Sequence, residues 1–534
     1  MAKTVVIGLD GAAWHLVDPM IDAGVMPHLG RLKSAGASGV LTSTVPTYTP
    51  PAWTSSVTGV GPGKHGIYGF IEGHVQFEKP QLMHSGMIKA TTLWEMANAQ
   101  GVRTGIYNLP LTYPPQQLDG WMVAGMLTPG YGERQTGFAY PKDIEPLILD
   151  WAPGYVLDVN ANYERDWKDD DLARRALHSI HQRRDVLRGL LEAHPVDMLF
   201  TVMEAPDRLQ HVYYRYLDPS DELYDSDDGR RLRPAVLECF AALDEIVGLL
   251  TEYASDGGII VCSDHGFTAW EVSVHLNALL EQWGYLKLKR QAKAMQTSLA
   301  RRMVPVAKRV LPRKLARDAK GKTFGAIDWS QTRAFASPIP QQGVFVNLKG
   351  RERFGIVAPS ELQDLKNELI ARFTELAGPD GKPVTDRVHL SEDVFGHDPA
   401  PGAPDVLPVL RDHRFELDDE LFHKRPFTDV SGMPRGVHHP DGIIVVSGPG
   451  VRPGDHLRAS VLDVTPTLLY MAGLGVSEGL EGRVVTEAFE DATLVKQPVV
   501  MTSPLSSGER DETSPYSDEE EAEIEEALRG LGYL

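Results

Sequence analysis

The stretch Thr4-Val5-Val6-Ile7-Gly8-Leu9-Asp10-Gly11 is apolar and β-branched for most of its length, then turns polar at once. A short apolar run closed by a turn residue reads as a strand buried on both faces. Such strands belong to parallel sheets covered by helices on each side. Working outward, runs of the same kind recur at 103–107, 121–126, 197–203, 257–263, 343–348 and 442–447. Helical patterns lie between them, near 88–100, 171–193, 233–254, 360–377 and 461–473. Strands alternating with helices predict an α/β protein with a mostly parallel central sheet. Three strands run into acids: Asp10; Glu204-Ala205-Pro206-Asp207; and Ser263-Asp264-His265. In open α/β sheets, ligands bind outside the carboxyl ends of the strands, which is where these acids fall.

The chain has 534 residues, 42% hydrophobic and 24% charged, ordinary values for a folded protein with a large core. Its net charge of −20 argues against non-specific binding to a nucleic-acid polymer. Two cysteines, Cys239 and Cys262, exclude a disulfide framework and fit a reducing compartment. The N-terminus enters a strand directly, without the apolar stretch of a signal peptide, and no run reaches the roughly 18–20 residues that span a bilayer. A soluble, cytoplasmic protein is the expectation.

Two segments depart from this average. Residues 286–322 carry 13 Lys/Arg and one acid, Asp318, with Met295, Leu299, Met303 and Val306 among the bases. They could form an amphipathic hairpin on an anionic membrane surface, or a solvated insertion on the acidic body. At the C-terminus, Ser517 precedes Asp518-Glu519-Glu520, and Ile524, Leu528 and Leu531 follow at helical spacing. That predicts a short N-capped amphipathic helix. The expected layout is a catalytic core over 1–284, an inserted cap or specificity region over 285–425, the end of the core over 426–500 and an acidic tail over 501–534.

The acids have histidines beside them. Asp207 and His211 are four apart and share a helix face. Asp264-His265 is followed by Gly266, which lets the backbone bend. His438-His439 precedes the last strand. Mixed Asp/His sets suit zinc and, less strongly, manganese, and two such cations form a clamp for in-line displacement at phosphorus. In Thr47-Tyr48-Thr49-Pro50-Pro51-Ala52-Trp53, a hydroxyl followed by two prolines could stand at a helix N-terminus, where the dipole favours an anion.

As a set, several stretches resemble the type I phosphodiesterase/nucleotide pyrophosphatase family of the alkaline phosphatase superfamily. They are Val5–Gly11, Pro46–Pro51, Thr58-Gly59 with Pro62–Ile67, Glu204–Asp207 with His211, Ser263–Gly266 and Gly436-Val437-His438. The resemblance implies an alkaline-phosphatase-like three-layer αβα sandwich with an inserted cap. It implies two divalent cations, Zn²⁺ or Mn²⁺. Asp10, Asp264 and His265 would hold one with Thr49 Oγ, and Asp207, His211 and His438 the other. Thr49 would be the nucleophile, forming a phospho-threonine intermediate. His438 matches the family's Gly-x-His, with His439 as rival.

One position departs from the pattern. Nucleotide-cleaving members carry an asparagine three residues after the nucleophile, and here that residue is Ala52. Asn108, Lys64 and Arg208 are weaker candidates for contact with a small phosphate ester, and His65 reads as a structural histidine. A sulfatase would need Cys or Ser at position 49 and Arg at position 53, where Thr49 and Trp53 stand. A P-loop fails because Thr58 and His65 occupy the places of its glycine and its hydroxyl. The leading expectation is a phosphodiesterase. Phosphomonoesterase, phosphonate hydrolase and phospholipid-headgroup hydrolase or transferase activities are alternatives, and an inactive binding protein on the same fold is the non-enzymatic one.

Overall fold

Thr4–Leu9 forms a strand with every residue buried in the computed structural model of the chain. The structure describes residues 3–72, 81–130, 136–159, 161, 166–289, 325–337, 343–397, 399, 402–506, 508 and 510–531. The basic segment 286–322 falls outside them from residue 290 onward. Among the described residues, no helix is long and apolar enough to cross a membrane. The chain divides into two units. One comprises Met1–Phe70, Leu82–Ala269 and Pro434–Tyr533, and the other is built mainly on Trp270–Met433.

Thr4–Leu9 is the middle of a nine-stranded sheet in the first unit. From edge to edge the strands are Gly454–Ser460, Ala37–Thr42, Asp441–Ser447, Gly258–Cys262, Thr4–Leu9, Met198–Met203, Thr104–Leu109, Gly120–Ala124 and Ala139–Tyr140. The five from Gly258–Cys262 to Gly120–Ala124 are mutually parallel. Side chains alternate between faces along a strand, so both faces need cover. Val6, Phe200 and Ile260 pack in one cluster with Trp53 and Val57 of the Thr49–Thr58 helix and Leu468 of the Val464–Met471 helix. Val5 and Ile7 point the other way and are equally buried. The long helices Asp171–Ala193 and Asp227–Ala254 pack against each other, and the second also lies against Thr4–Leu9. The result is the expected mostly parallel α/β sandwich.

Asp441–Ser447 is antiparallel to both of its neighbours, Gly258–Cys262 and Ala37–Thr42. Its start therefore lies level with the carboxyl ends of the parallel strands. Asp441 pairs with Thr42, so the chain that leaves Thr42 toward Thr49 departs from the same edge.

The sequence did not signal the Ala37–Thr42 strand, because Ser38 and Gly39 dilute its apolar run. Gly39 is needed there: a Cβ would stand 2.0 Å from Leu457 O of the edge strand. The run at 343–348 shortens to Phe345–Val346 and pairs with Ala334–Phe335 in the second unit, outside the main sheet. The helix expected to begin near Pro234 starts earlier, because Ser226 Oγ accepts the Gly229 N–H at 3.0 Å and caps it there. At the C-terminus, Ser517 caps the Asp518–Gly530 helix and pairs reciprocally with Glu520. Ile524, Leu528 and Leu531 are buried, and the Tyr516 hydroxyl donates to Leu127 O at 3.0 Å.

One buried carboxylate joins two helices. Asp244 accepts the His28 and Leu29 N–H groups, at 2.7 and 2.8 Å, at the start of the Pro27–Ala35 helix. Replacing it leaves buried donors unsatisfied. Asp244→Ala is expected to lower the unfolding free energy by about 1–3 kcal/mol, and Asp244→Asn by less, measured by urea denaturation.

Candidate active site

Each side chain of the expected site is delivered by the end of an element. Asp10 follows the Thr4–Leu9 strand, and its N–H donates to Met203 O at 3.0 Å. Gly11 then turns with φ of 71°, and a Cβ there would meet the Phe267 ring at 2.5 Å. Its N–H donates to Asp264 Oδ1 at 3.2 Å, and its carbonyl accepts from Gln210 Nε2 at 2.9 Å. Asp264 and His265 follow the Gly258–Cys262 strand. Asp207 lies in the first turn of the Ala205–Leu217 helix, with His211 one turn on. Thr49 opens the Thr49–Thr58 helix, whose start the two prolines fix. His438 comes from Gly436–His439, which pairs antiparallel with Gly266–Ala269 and sets His438 opposite Phe267.

These residues meet. His438 Nε2 and His211 Nε2 each lie 3.2 Å from Asp207 Oδ1, and 2.9 Å from each other. His265 Nε2 is 3.4 Å from Asp264 Oδ2, 3.6 Å from Asp10 Oδ1 and 4.0 Å from Asp207 Oδ1. It thus belongs to two metal-competent groups, Asp10–Asp264–His265 and Asp207–His265–His438. Thr49 Oγ1 lies 3.4 Å from the same nitrogen. The other ring nitrogens are held by backbone: His438 Nδ1 by Thr47 O at 3.0 Å, His211 Nδ1 by Gly436 O at 3.2 Å and His265 Nδ1 by Gly266 O at 3.1 Å. This leaves the three Nε2 atoms facing the carboxylates, the arrangement in which metal-ligating histidines are held. Strand alternation separates the two neighbouring histidines. His438 is inside the cluster, while His439 is half-buried and accepts the Asp441 N–H through Nδ1.

The buried acids and imidazoles shift one another's protonation strongly. Burial raises Asp10 well above the carboxylate range, and the charges of Asp264 and Asp207 raise it further. Burial and Asp207 push Asp264 up to about 7. For Asp207, burial also acts upward, but His211, His438 and Arg208 outweigh it and hold the carboxyl well below its usual range. Burial and the neighbouring His438 depress His265. Asp10 Oδ1 and Asp264 Oδ2 are buried with no hydrogen-bond partner among the described residues. Orphaned buried carboxylate oxygens beside inward-facing imidazoles fit a divalent cation.

The remaining candidates have partners of their own. Arg208 is buried between Asp207, at 2.6 Å, and Asp158, at 3.1 Å. Asn108 sits on a bulge with φ of 56°, and its amide donates to Val202 O and to Glu204 Oε2 at 2.7 Å, the acid that pairs with buried Arg183. Lys64 is exposed and pairs with Glu481 at 3.1 Å. Ala52 is fully buried. Sequence reasoning missed Trp53, whose indole N–H donates to Asp10 Oδ2 at 3.0 Å, and Gln210, which holds Gly11. The only available signal for Trp53 was its place one helical turn after Thr49.

His65 is buried and neutral. Its Nε2 pairs with Ser55 Oγ at 3.0 Å, and its Nδ1 accepts the Ile67 N–H. Burial pulls it down to about 3, with a hydrogen bond to the Pro51 backbone opposing. Its folded-state value is lower than the unfolded one, so its contribution to stability is complete above the unfolded value near 6.5 and is lost as pH falls toward 3. The stability advantage of wild type over His65→Asn is expected to shrink by up to about 1.4 kcal/mol per pH unit between roughly pH 6 and 4, read from urea unfolding at each pH.

Comparison with known proteins bears on the fold and on the family. The fold is similar to that of phosphonoacetate hydrolase from Sinorhizobium meliloti 1021, solved with phosphonoacetate, at a TM-score of 0.55 and 16% identity, over 88% of this chain and 96% of that one. Murine ectonucleotide pyrophosphatase/phosphodiesterase 5 matches at a TM-score of 0.47 and 14% identity, over 91% of this chain and 100% of that one. No curated protein sequence matches the chain. Residues 4–391 match the family model for type I phosphodiesterase / nucleotide pyrophosphatase. His438 lies beyond that match, and the antiparallel pairing of its strand is what brings it to Asp207. With most of its length matched, the chain belongs to the type I phosphodiesterase/nucleotide pyrophosphatase family and is a metal-dependent phosphoester hydrolase of the alkaline phosphatase superfamily.

Proposed function

We propose that the protein is a two-metal phosphodiesterase that works through a covalent phosphoryl intermediate on Thr49. The observation that carries this reading is the placement of Thr49 Oγ1 at a helix start, 3.4 Å from His265 Nε2, the one histidine shared by both acid groups. Asp10, Asp264 and His265 would hold one cation together with Thr49, and Asp207, His211 and His438 the other. Zinc fits this oxygen and nitrogen set best, with manganese second. When bound, such a pair lowers the pKa of a coordinated hydroxyl and neutralises charge on the ester oxygens.

The chain's own groups do the positioning. The Thr49–Thr58 helix points its N-terminal end at the site, which favours the phosphate anion. Trp53 orients Asp10, and Arg208 holds Asp207 from behind. Thr49 Oγ attacks phosphorus and the P–O bond to the first alcohol breaks. Water then attacks the same phosphorus, the bond to Thr49 breaks, and the products are a monoester and the free threonine. Ala52 offers no side-chain donor where nucleotide-cleaving relatives carry an amide, so a non-nucleotide diester is the favoured substrate. We assign substrate selection to the 285–425 insertion. A cytoplasmic setting is supported by the two free cysteines, both buried.

With Zn²⁺ or Mn²⁺ present, bis-p-nitrophenyl phosphate is expected to turn over faster than p-nitrophenyl phosphate. Thr49→Ala should reduce the diester rate by at least about 10³-fold. Faster monoester turnover would redirect the reading to a phosphatase, and an active Thr49→Ala would remove Thr49 as nucleophile. Chelation followed by dialysis is expected to abolish turnover and lower Tm, with Zn²⁺ restoring both, because cation loss leaves the buried carboxylates uncompensated.

A further inference from the structure

The second unit holds another group of metal-competent side chains, none of which takes part in the reaction above. His275 ends the Val272–His275 strand, which lies between Phe415–Asp418, parallel to it, and Phe427–Asp429, antiparallel. The register sets His275 directly beside Asp418. The segment that follows, 419–426, carries Glu420 and His423 and is tied down at both ends. Asn277 Nδ2 donates to Asp419 O at 2.6 Å, and the His275 N–H donates to Pro426 O at 2.8 Å. This fastening lays the His423 ring on the His275 ring, with centroids 3.5 Å apart and planes at 16°. His423 Nε2 in turn pairs with Glu420.

The two nitrogens of His275 differ in their surroundings. Nε2 is paired with Thr428 Oγ1 at 2.8 Å. Among the described residues, Nδ1 is buried with no partner in hydrogen-bond geometry, although Asp418 Oδ2 lies 2.9 Å away. Asp418 Oδ1 is already taken by the Glu420 N–H at 2.6 Å. His275 is therefore held through Nε2 by the Thr428 hydroxyl, with Nδ1 set against a carboxylate oxygen at the close range that two ligands of one cation share. One nitrogen held by a hydroxyl while the other faces acids is how a protein orients a metal-ligating histidine. His275, Asp418 and His423 each offer a ligand atom, and these atoms lie within 4.8 Å of one another.

We infer that His275, Asp418 and His423, with Glu420 as the fourth donor, form a further divalent-cation site of the zinc class, which pins the 419–426 segment to the Val272–His275 strand. Imidazole nitrogens and carboxylate oxygens are both zinc ligands, and four of them complete a tetrahedral set. A structural site of this kind takes no part in turnover and is read by metal content and stability.

The test uses the full-length protein loaded with Zn²⁺ alone, desalted, and analysed for bound zinc by mass spectrometry. His423→Ala and Asp418→Asn are each expected to bind one equivalent less than wild type, whatever the wild-type count, with unchanged circular dichroism. An unchanged zinc count in a folded variant overturns the site. Should His423→Ala fail to fold, the near-isosteric Asp418→Asn decides in the same way. Turnover of bis-p-nitrophenyl phosphate by wild type reports the reaction proposed above, and the difference in zinc count between wild type and these two variants reports this site, so a failure of one is read apart from a failure of the other.

Discussion

Crowding of buried negative charge is the constraint on which this molecule depends. Asp10, Asp207 and Asp264 are fully buried at or just beyond the ends of three adjacent parallel strands. Oxygens of Asp10 and Asp264 come within 4.8 Å of each other. At that range two unit charges repel by about 3–4 kcal/mol, at the effective dielectric suited to protein sites. Arg208 pairs directly with Asp207 and Asp158, and among the described residues no Lys or Arg forms an ion pair with Asp10 or Asp264. The raised values of Asp10 and Asp264 state the same fact in another form: the site is built for charge that the chain does not carry.

The fold achieves this convergence with few devices. Parallel strands place their carboxyl ends along one edge, which accounts for Asp10, Asp264 and the helix that carries Asp207 and His211. Thr49 and His438 reach the same edge only because Asp441–Ser447 runs against its neighbours, so that its beginning meets their ends. Gly11 and Phe267 then set the spacing, since no Cβ fits between them. Backbone carbonyls hold Nδ1 of all three histidines and leave every Nε2 directed inward.

Most of this was legible in the sequence because it lies at the ends of elements, where an apolar run gives way to Asp or His. The strand Thr4–Leu9 and the Asp207/His211 pair follow from periods of 2 and 3.6, whereas the choice of His438 over His439 came from the match to the family's Gly-x-His. What stayed unreadable depends on close approach or on register. Ala37–Thr42 was invisible because Gly39 is there to admit the backbone of the edge strand, not to pack a side chain. Trp53 gave no sign of its bond to Asp10, because an indole in an apolar helix face reads as core. Asn108, read as a weaker candidate for substrate contact, gave no sign that its amide ties a bulge to Glu204 and the Val202 carbonyl. The His275, Asp418 and His423 group was hidden for a related reason: only the pairing of two strands distant in the chain brings those residues together.

The central claim is that phosphorus passes through Thr49. The stereochemical course of hydrolysis at an isotopically chiral thiophosphate diester tests it most directly. Two in-line displacements, first by Thr49 and then by water, give net retention of configuration at phosphorus, which is the expected result. Net inversion would mean that water attacks the diester in a single step, and would contradict the account.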